Sequence, residues 1–162
     1  MSEDQNKKEV LFGAGCFWGI QQAFDALEGV LETEVGYSGG HVANPTYKEV
    51  CSGMTGHAEV VRVLYDPQQI SFEGLLEVFW KNHDPTSKNK QGPDVGSQYR
   101  SAIYYSDDEQ RQNAEKASRE LEESGRVGRP VVTEIKEKGP FYRAEEYHQK
   151  YFEKKGIKGC AI

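Results

Sequence analysis

The stretch Glu9-Val10-Leu11-Phe12-Gly13-Ala14-Gly15-Cys16-Phe17-Trp18-Gly19 decides how this chain folds. Residues 9–13 form an apolar run short enough for a buried strand. Ala14-Gly15 then supplies a tight turn. Beyond it, Phe17, Ile20, Ala23, Phe24 and Leu27 recur at helical spacing, and Gly29 suits a left-handed stop. A strand that passes through a glycine turn into a helix places Cys16 at the helix start. Open N–H groups and the positive end of the helix dipole favour an anion there. An ordinary thiol ionises near pH 8.5, so such a site raises the thiolate fraction at neutral pH. The alternative is a Cys16 that packs as a small hydrophobe, as most unbridged cysteines do.

Further along, Leu31, Thr33, Val35 and Tyr37 alternate with Glu32 and Glu34, which predicts a half-exposed strand over 30–37. Residues 38–57 are glycine-rich and aperiodic, and predict a long functional or mobile loop. A strand over 58–65 puts Glu59, Val61, Val63 and Tyr65 on one face. Ser71 is the expected N-cap of a helix with the stripe Phe72, Leu75, Leu76 and Phe79. A polar loop over about 83–98 leads to a strand over 99–105. Ser106 and Glu109 have capping-box spacing for a charged helix ending near Gly125. A final strand over 131–136 and a short helix over 144–152 complete the pattern. The glycine-containing tail, 154–162, reads as mobile.

This order predicts an α+β fold: a two-layer sandwich with a mixed sheet, flanking helices and a ferredoxin-like core. Residues 1–162 read as a single catalytic domain with a polar stretch over 1–8. The chain has 162 residues, a net charge of -6 and no basic stripe, which speaks against nucleic-acid and anionic-membrane partners. The polar N-terminal stretch lacks a signal peptide's apolar run, so a cytoplasmic protein is expected. Monomer is the default. Three cysteines, Cys16, Cys51 and Cys160, are too few and odd in number for a disulfide framework. They and the four histidines show no metal-ligand spacing, and no cofactor is implied.

The segment Gly13-Ala14-Gly15-Cys16-Phe17-Trp18-Gly19 resembles the active-site signature of the A class of peptide methionine sulfoxide reductases. Three further blocks are similar to that family, in the same order. They are Asn44-Pro45-Thr46-Tyr47-Lys48-Glu49-Val50-Cys51 with Thr55-Gly56-His57-Ala58-Glu59, then Gly92 to Ser101, then Ala144 to Gln149. The resemblance implies a thiol enzyme that reduces methionine S-sulfoxide, free or in oxidised proteins, as a repair of oxidative damage. It implies attack by Cys16 on the sulfoxide sulfur, with Phe17 and Trp18 as an apolar wall and Glu59, Tyr47 and Tyr99 around the oxygen. Asp94 would orient its neighbours at the substrate, and His148 is left open between structure and substrate contact. Cys16 would become a sulfenic acid. Cys160 would then close a Cys16–Cys160 disulfide, which thioredoxin reduces. Cys51 is expected to belong to the structure.

The residues alone also speak for Glu59 as an acid. A carboxyl sharing a strand face with Val61 and Val63 is partly desolvated, which raises its pKa and lets it give a proton to an oxygen. A solvated Glu59 at the strand end fits the pattern equally well. A thiol peroxidase or cysteine hydrolase, with His57 or His83 as base, and a redox-sensing module are the competing classes.

Overall fold

The structure is a computed structural model that describes residues 7–151. Its elements in chain order are strand β1 (Lys8–Ala14), helix α1 (Phe17–Asp25), strand β2 (Val30–Ser38) and the short helix α2 (Tyr47–Cys51). Strand β3 (Ala58–Tyr65) and helix α3 (Phe72–Lys81) follow, then the two-residue strands β4 (Lys90–Gln91) and β5 (Asp94–Val95). Strand β6 (Ser101–Tyr105), helix α4 (Asp108–Glu123), β7 (Glu134–Glu137) and β8 (Phe141–Arg143) complete them. A single 3-10 turn, Ser97–Tyr99, precedes β6, and another, Glu146–His148, follows β8.

The main sheet has the order β7-β6-β1-β3-β2-β8. Its inner four strands are antiparallel and joined β1-α1-β2-β3-α3-β6, which is the ferredoxin-like arrangement that the sequence predicts. β7 adds in parallel beside β6, and β8 in antiparallel beside β2, making the sheet mixed. The helices cover one face. Phe12 stacks on Phe24 of α1 with ring centroids 5.0 Å apart, and lies 5.0 Å from Phe79 of α3. The opposite face buries Leu11, Val60, Ala102 and Tyr104 under Phe141. β1 is apolar at successive positions because both of its faces are covered.

Several expectations shift. Leu31 is exposed rather than inward, because the β2–β3 register slips between Val30 and Glu32. Residues 38–57 are not all loop. Thr46 caps α2, accepting from the Glu49 amide, while the Glu49 side chain accepts from the Thr46 amide. The α4 cap is Asp107 rather than Ser106, since the Asp107 carboxylate accepts from the Gln110 amide. Tyr99 lies in the turn before β6, the last parallel strand starts at Glu134 rather than 131, and Lys8 already belongs to β1. The segment from Ala144 forms a 3-10 turn instead of a helix, and β8 precedes it. The predicted tail, with Cys160, lies outside the described residues.

Candidate active site

β1 enters α1 through Gly15, whose φ of +91° is one that side chains rarely adopt. A Cβ there would sit 2.9 Å from Cγ of Gln91. The Gln91 amide is itself held by the backbone N–H and C=O of Asp84, at 2.8 and 2.7 Å. The turn is therefore pressed between the helix and the β4 hairpin, and it delivers Cys16 as the partly buried N-cap of α1. Cys16 makes no capping hydrogen bond with its side chain.

One of the helix-start N–H groups is taken by a carboxyl. The Phe17 amide donates to Oε1 of Glu59, 3.3 Å away, from the neighbouring part of the sheet. Glu59 is 1% exposed, and its Oε2 has no hydrogen-bond partner among the described residues. Burial pushes this carboxyl up to about 8, with the Phe17 amide pulling down and Asp94 adding a further push upward. Glu59 thus keeps its proton at neutral pH, beside the thiol. The solvated alternative is excluded by its burial.

Two half-buried tyrosines face the same acid. Burial and then the Glu59 carboxylate hold Tyr47 and Tyr99 well above the ordinary tyrosine range, so both remain hydroxyl donors. The fields of Cys16, Cys51 and Asp94 all reach Tyr99. Tyr47 and Cys51 lie one turn apart on α2, and the nearby Tyr47 hydroxyl pulls the Cys51 thiol's pKa down against its burial. Cys51 ends α2 and is exposed, while the partial burial of its thiol raises its pKa.

The aromatic pair after Cys16 splits. Phe17 is buried, with its ring 5.9 Å from Tyr37, 6.4 Å from Tyr47 and 5.4 Å from His148. Trp18 stays partly exposed and stacks on Tyr151 at 3.9 Å and 13°. Its indole N–H donates to Nδ1 of His148 at 3.0 Å. With Nδ1 accepting, the neutral ring carries its proton on Nε2, which is buried and finds no partner among the described residues. Burial lowers the His148 pKa against the pull of Glu145.

Sequence reasoning missed Glu145 and Tyr37. Glu145 accepts from the Tyr37 hydroxyl and from the Tyr47 amide, each at 2.9 Å, across 108 and 98 residues of chain. Burial would raise its pKa, but these donors hold the carboxyl below its ordinary value. The signal available was its place in the fourth sequence block, two residues before Tyr147.

The two histidines proposed as hydrolase bases are otherwise engaged. His57 accepts from the Gly40 amide and contacts the Val42 carbonyl. His83 lies between the Phe79 carbonyl and the Ser101 hydroxyl, and burial lowers it to about 4. No cluster of three or more potential metal ligands occurs among the described residues.

The structure thus brings a partly buried thiol at a helix start together with a buried carboxyl and two half-buried tyrosines, the groups that thiol enzymes use. The family model described as peptide methionine sulfoxide reductase matches residues 8–162. A Methanothermobacter thermautotrophicus protein named peptide methionine sulfoxide reductase MsrA is 56% identical over 155 residues, covering 96% of this chain and 92% of that protein. Mxr1 from Saccharomyces cerevisiae in reduced form superposes with a TM-score of 0.89 at 34% identity, over 96% of this chain and 90% of that one. Mxr1 in complex with Trx2 gives a TM-score of 0.65 at 26% identity, over 91% and 86% of the two chains. This chain belongs to the peptide methionine sulfoxide reductase family.

Proposed function

We propose that residues 1–162 act as one catalytic domain that reduces methionine S-sulfoxide, free or within oxidised proteins, with Cys16 as nucleophile and Glu59 as acid. The observation that carries this assignment is the buried Glu59 carboxyl bonded to the amide of Phe17, the residue next to the thiol.

The Cys16 thiolate attacks the sulfoxide sulfur while Glu59 gives its proton to the oxygen. The Tyr47 and Tyr99 hydroxyls donate to that oxygen as its charge grows. Phe17 and Trp18 hold the uncharged methyl end of the substrate, and Asp94 orients groups around the acid. Loss of methionine leaves a sulfenic acid on Cys16. Cys160 converts it to a Cys16–Cys160 disulfide, and a dithiol returns both thiols. Thioredoxin, at about -270 mV, is the reductant this chemistry favours. The family relative solved with Trx2 supports that choice. No helix among the described residues is long and apolar enough to cross a membrane. The cytoplasm, which keeps thiols reduced, suits the cycle.

The deciding assay is turnover of a small methionine sulfoxide amide with thioredoxin, thioredoxin reductase and NADPH. Cys16→Ser is expected to abolish it. Cys160→Ser is expected to release one methionine per enzyme and then stall. Sustained thioredoxin-driven turnover by Cys160→Ser would refute the assignment of the resolving thiol.

A further inference from the structure

A groove of about 780 Å³ starts at Cys16 and runs along α1. One wall is Ala14, Cys16, Gly19, Ile20, Ala23 and Ala26, and the other is formed by residues 81–84 with Gln91. The α1 positions recur every three or four residues, so they form one stripe of the helix. Most are alanine or glycine, which leaves room for a chain in extended form. Glu59, Tyr47, Tyr99 and Trp18 are absent from its described lining. Cys16 therefore has two sides: the acid and hydroxyls on one, and this open groove on the other.

That division matters for the second half of the cycle. We infer that the groove is the docking site for residues 159–162 of this chain, and that Cys160 attacks Cys16 from it. The inference rests on the proposed roles of Cys16, Glu59 and Cys160. Displacement at a divalent sulfur puts the entering and leaving atoms in line on opposite sides. In the sulfenic acid the leaving oxygen lies toward Glu59, Tyr47 and Tyr99, so the entering sulfur comes from the groove. The Cys160 thiol gives its proton to solvent, and its sulfur bonds Cys16 Sγ as the Cys16 S–O bond breaks. Glu59, ionised by the first step, recovers a proton from solvent and gives it to the oxygen, which leaves as water. Cys160 is oxidised and Cys16 reduced, both to the disulfide level.

Reach and chemistry agree with this occupant. The last described residue, Tyr151, stacks 3.9 Å from Trp18, two residues from the thiol. Cys160 lies nine positions beyond Tyr151. Extended, they span about 30 Å. The whole of α1, nine residues long, covers only about 14 Å. With Cys160 at Cys16, the small and apolar Ala161 and Ile162 lie along Gly19 and Ala23.

Ala23→Trp and Ala26→Trp fill the groove from a half-buried and an exposed position. Ile162→Asp leaves the groove intact and alters the occupant. Each full-length variant is mixed with one equivalent of peptide methionine sulfoxide. Methionine release, Cys16–Cys160 disulfide by mass, and Cys16 sulfenic acid trapped by dimedone are followed in time, with thermal unfolding as the folding control. Release of the first methionine is expected at the wild-type rate. Disulfide formation is expected to slow at least ten-fold in all three variants, with dimedone adduct accumulating. Wild-type disulfide rates would overturn the inference. So would a raised KM for the peptide with an unchanged disulfide rate, which would give the groove to substrate instead. If the wild-type enzyme forms no Cys16–Cys160 disulfide at all, the resolving role of Cys160 fails first, and the groove assignment falls with it.

Discussion

Burial of Glu59 turns an ordinary carboxylate into a proton donor. Its carboxyl sits near pH 8 rather than 4.5, so the acid form dominates at neutral pH and is lost as the pH rises. The rate of methionine release in a single turnover is therefore expected to fall as pH passes upward through about 8. Glu59→Gln is expected to lower that rate by about 10²–10⁴-fold and to remove this alkaline limb. Stability follows the same sign. The folded state binds the proton more tightly than the unfolded chain, so the stabilisation is full below pH 4.5 and declines toward about 8. Denaturation of Glu59→Gln across that range should lack the decline. His148 gives a second test. Losing one neutral hydrogen bond from Trp18 removes roughly 1 kcal/mol, or about a five-fold change. His148→Phe keeps a ring in place but cannot accept from the indole, so KM for a peptide sulfoxide should rise by about that factor, with kcat little changed. The Trp18 fluorescence should shift as its polar partner is lost.

Among the elements, the β1–Gly15–α1 unit does most to place the thiol. It was legible because a short apolar run, a glycine and a helical period are all local signals. Gly15→Ala puts a side chain at φ +91° and 2.9 Å from Gln91. A loss of about 1–3 kcal/mol is expected, read from the urea midpoint. Activity should fall with it, because Gly15 sets how the chain enters α1 at Cys16. The helix α2 was not legible as an element. Five residues are too few for a periodic stripe, although its capping pair, Thr46 and Glu49, stood in the sequence. For α4, both Ser106 and Asp107 could cap, and only the backbone geometry chose Asp107. Leu31 faces solvent for a comparable reason: one slipped position in a strand reverses which side points inward.

Across the whole molecule, the strand edge at β2 joins the last described segment to the site. Gln149 accepts from the Val35 amide and donates to the Val35 and Ala144 carbonyls, at 2.9, 2.9 and 3.0 Å. This holds Glu145 against Tyr37 and Tyr47, and His148 against Trp18. Gln149→Leu leaves buried backbone groups without partners, at about 1–3 kcal/mol each. A lower unfolding midpoint, faster amide exchange in β8 and reduced turnover are expected together. A variant with normal exchange in β8 but reduced turnover would show that the pinning does not act through the sheet edge.

By itself the sequence determined the order of the five strands β1, β2, β3, β6 and β7 and of the helices α1, α3 and α4, the helix-start position of Cys16 and the face that Glu59 shares with Val61 and Val63. Each of these depends on neighbours within a few residues. Its four spaced blocks also carried the family resemblance. Only the tertiary structure decided that Glu59 is sealed from water, that Tyr47 and Tyr99 meet it, and that Glu145 ties Tyr37 to Tyr47. Those facts depend on contacts between elements far apart in the chain, and on how completely the sheet and helices exclude solvent. Local spacing carries no record of either.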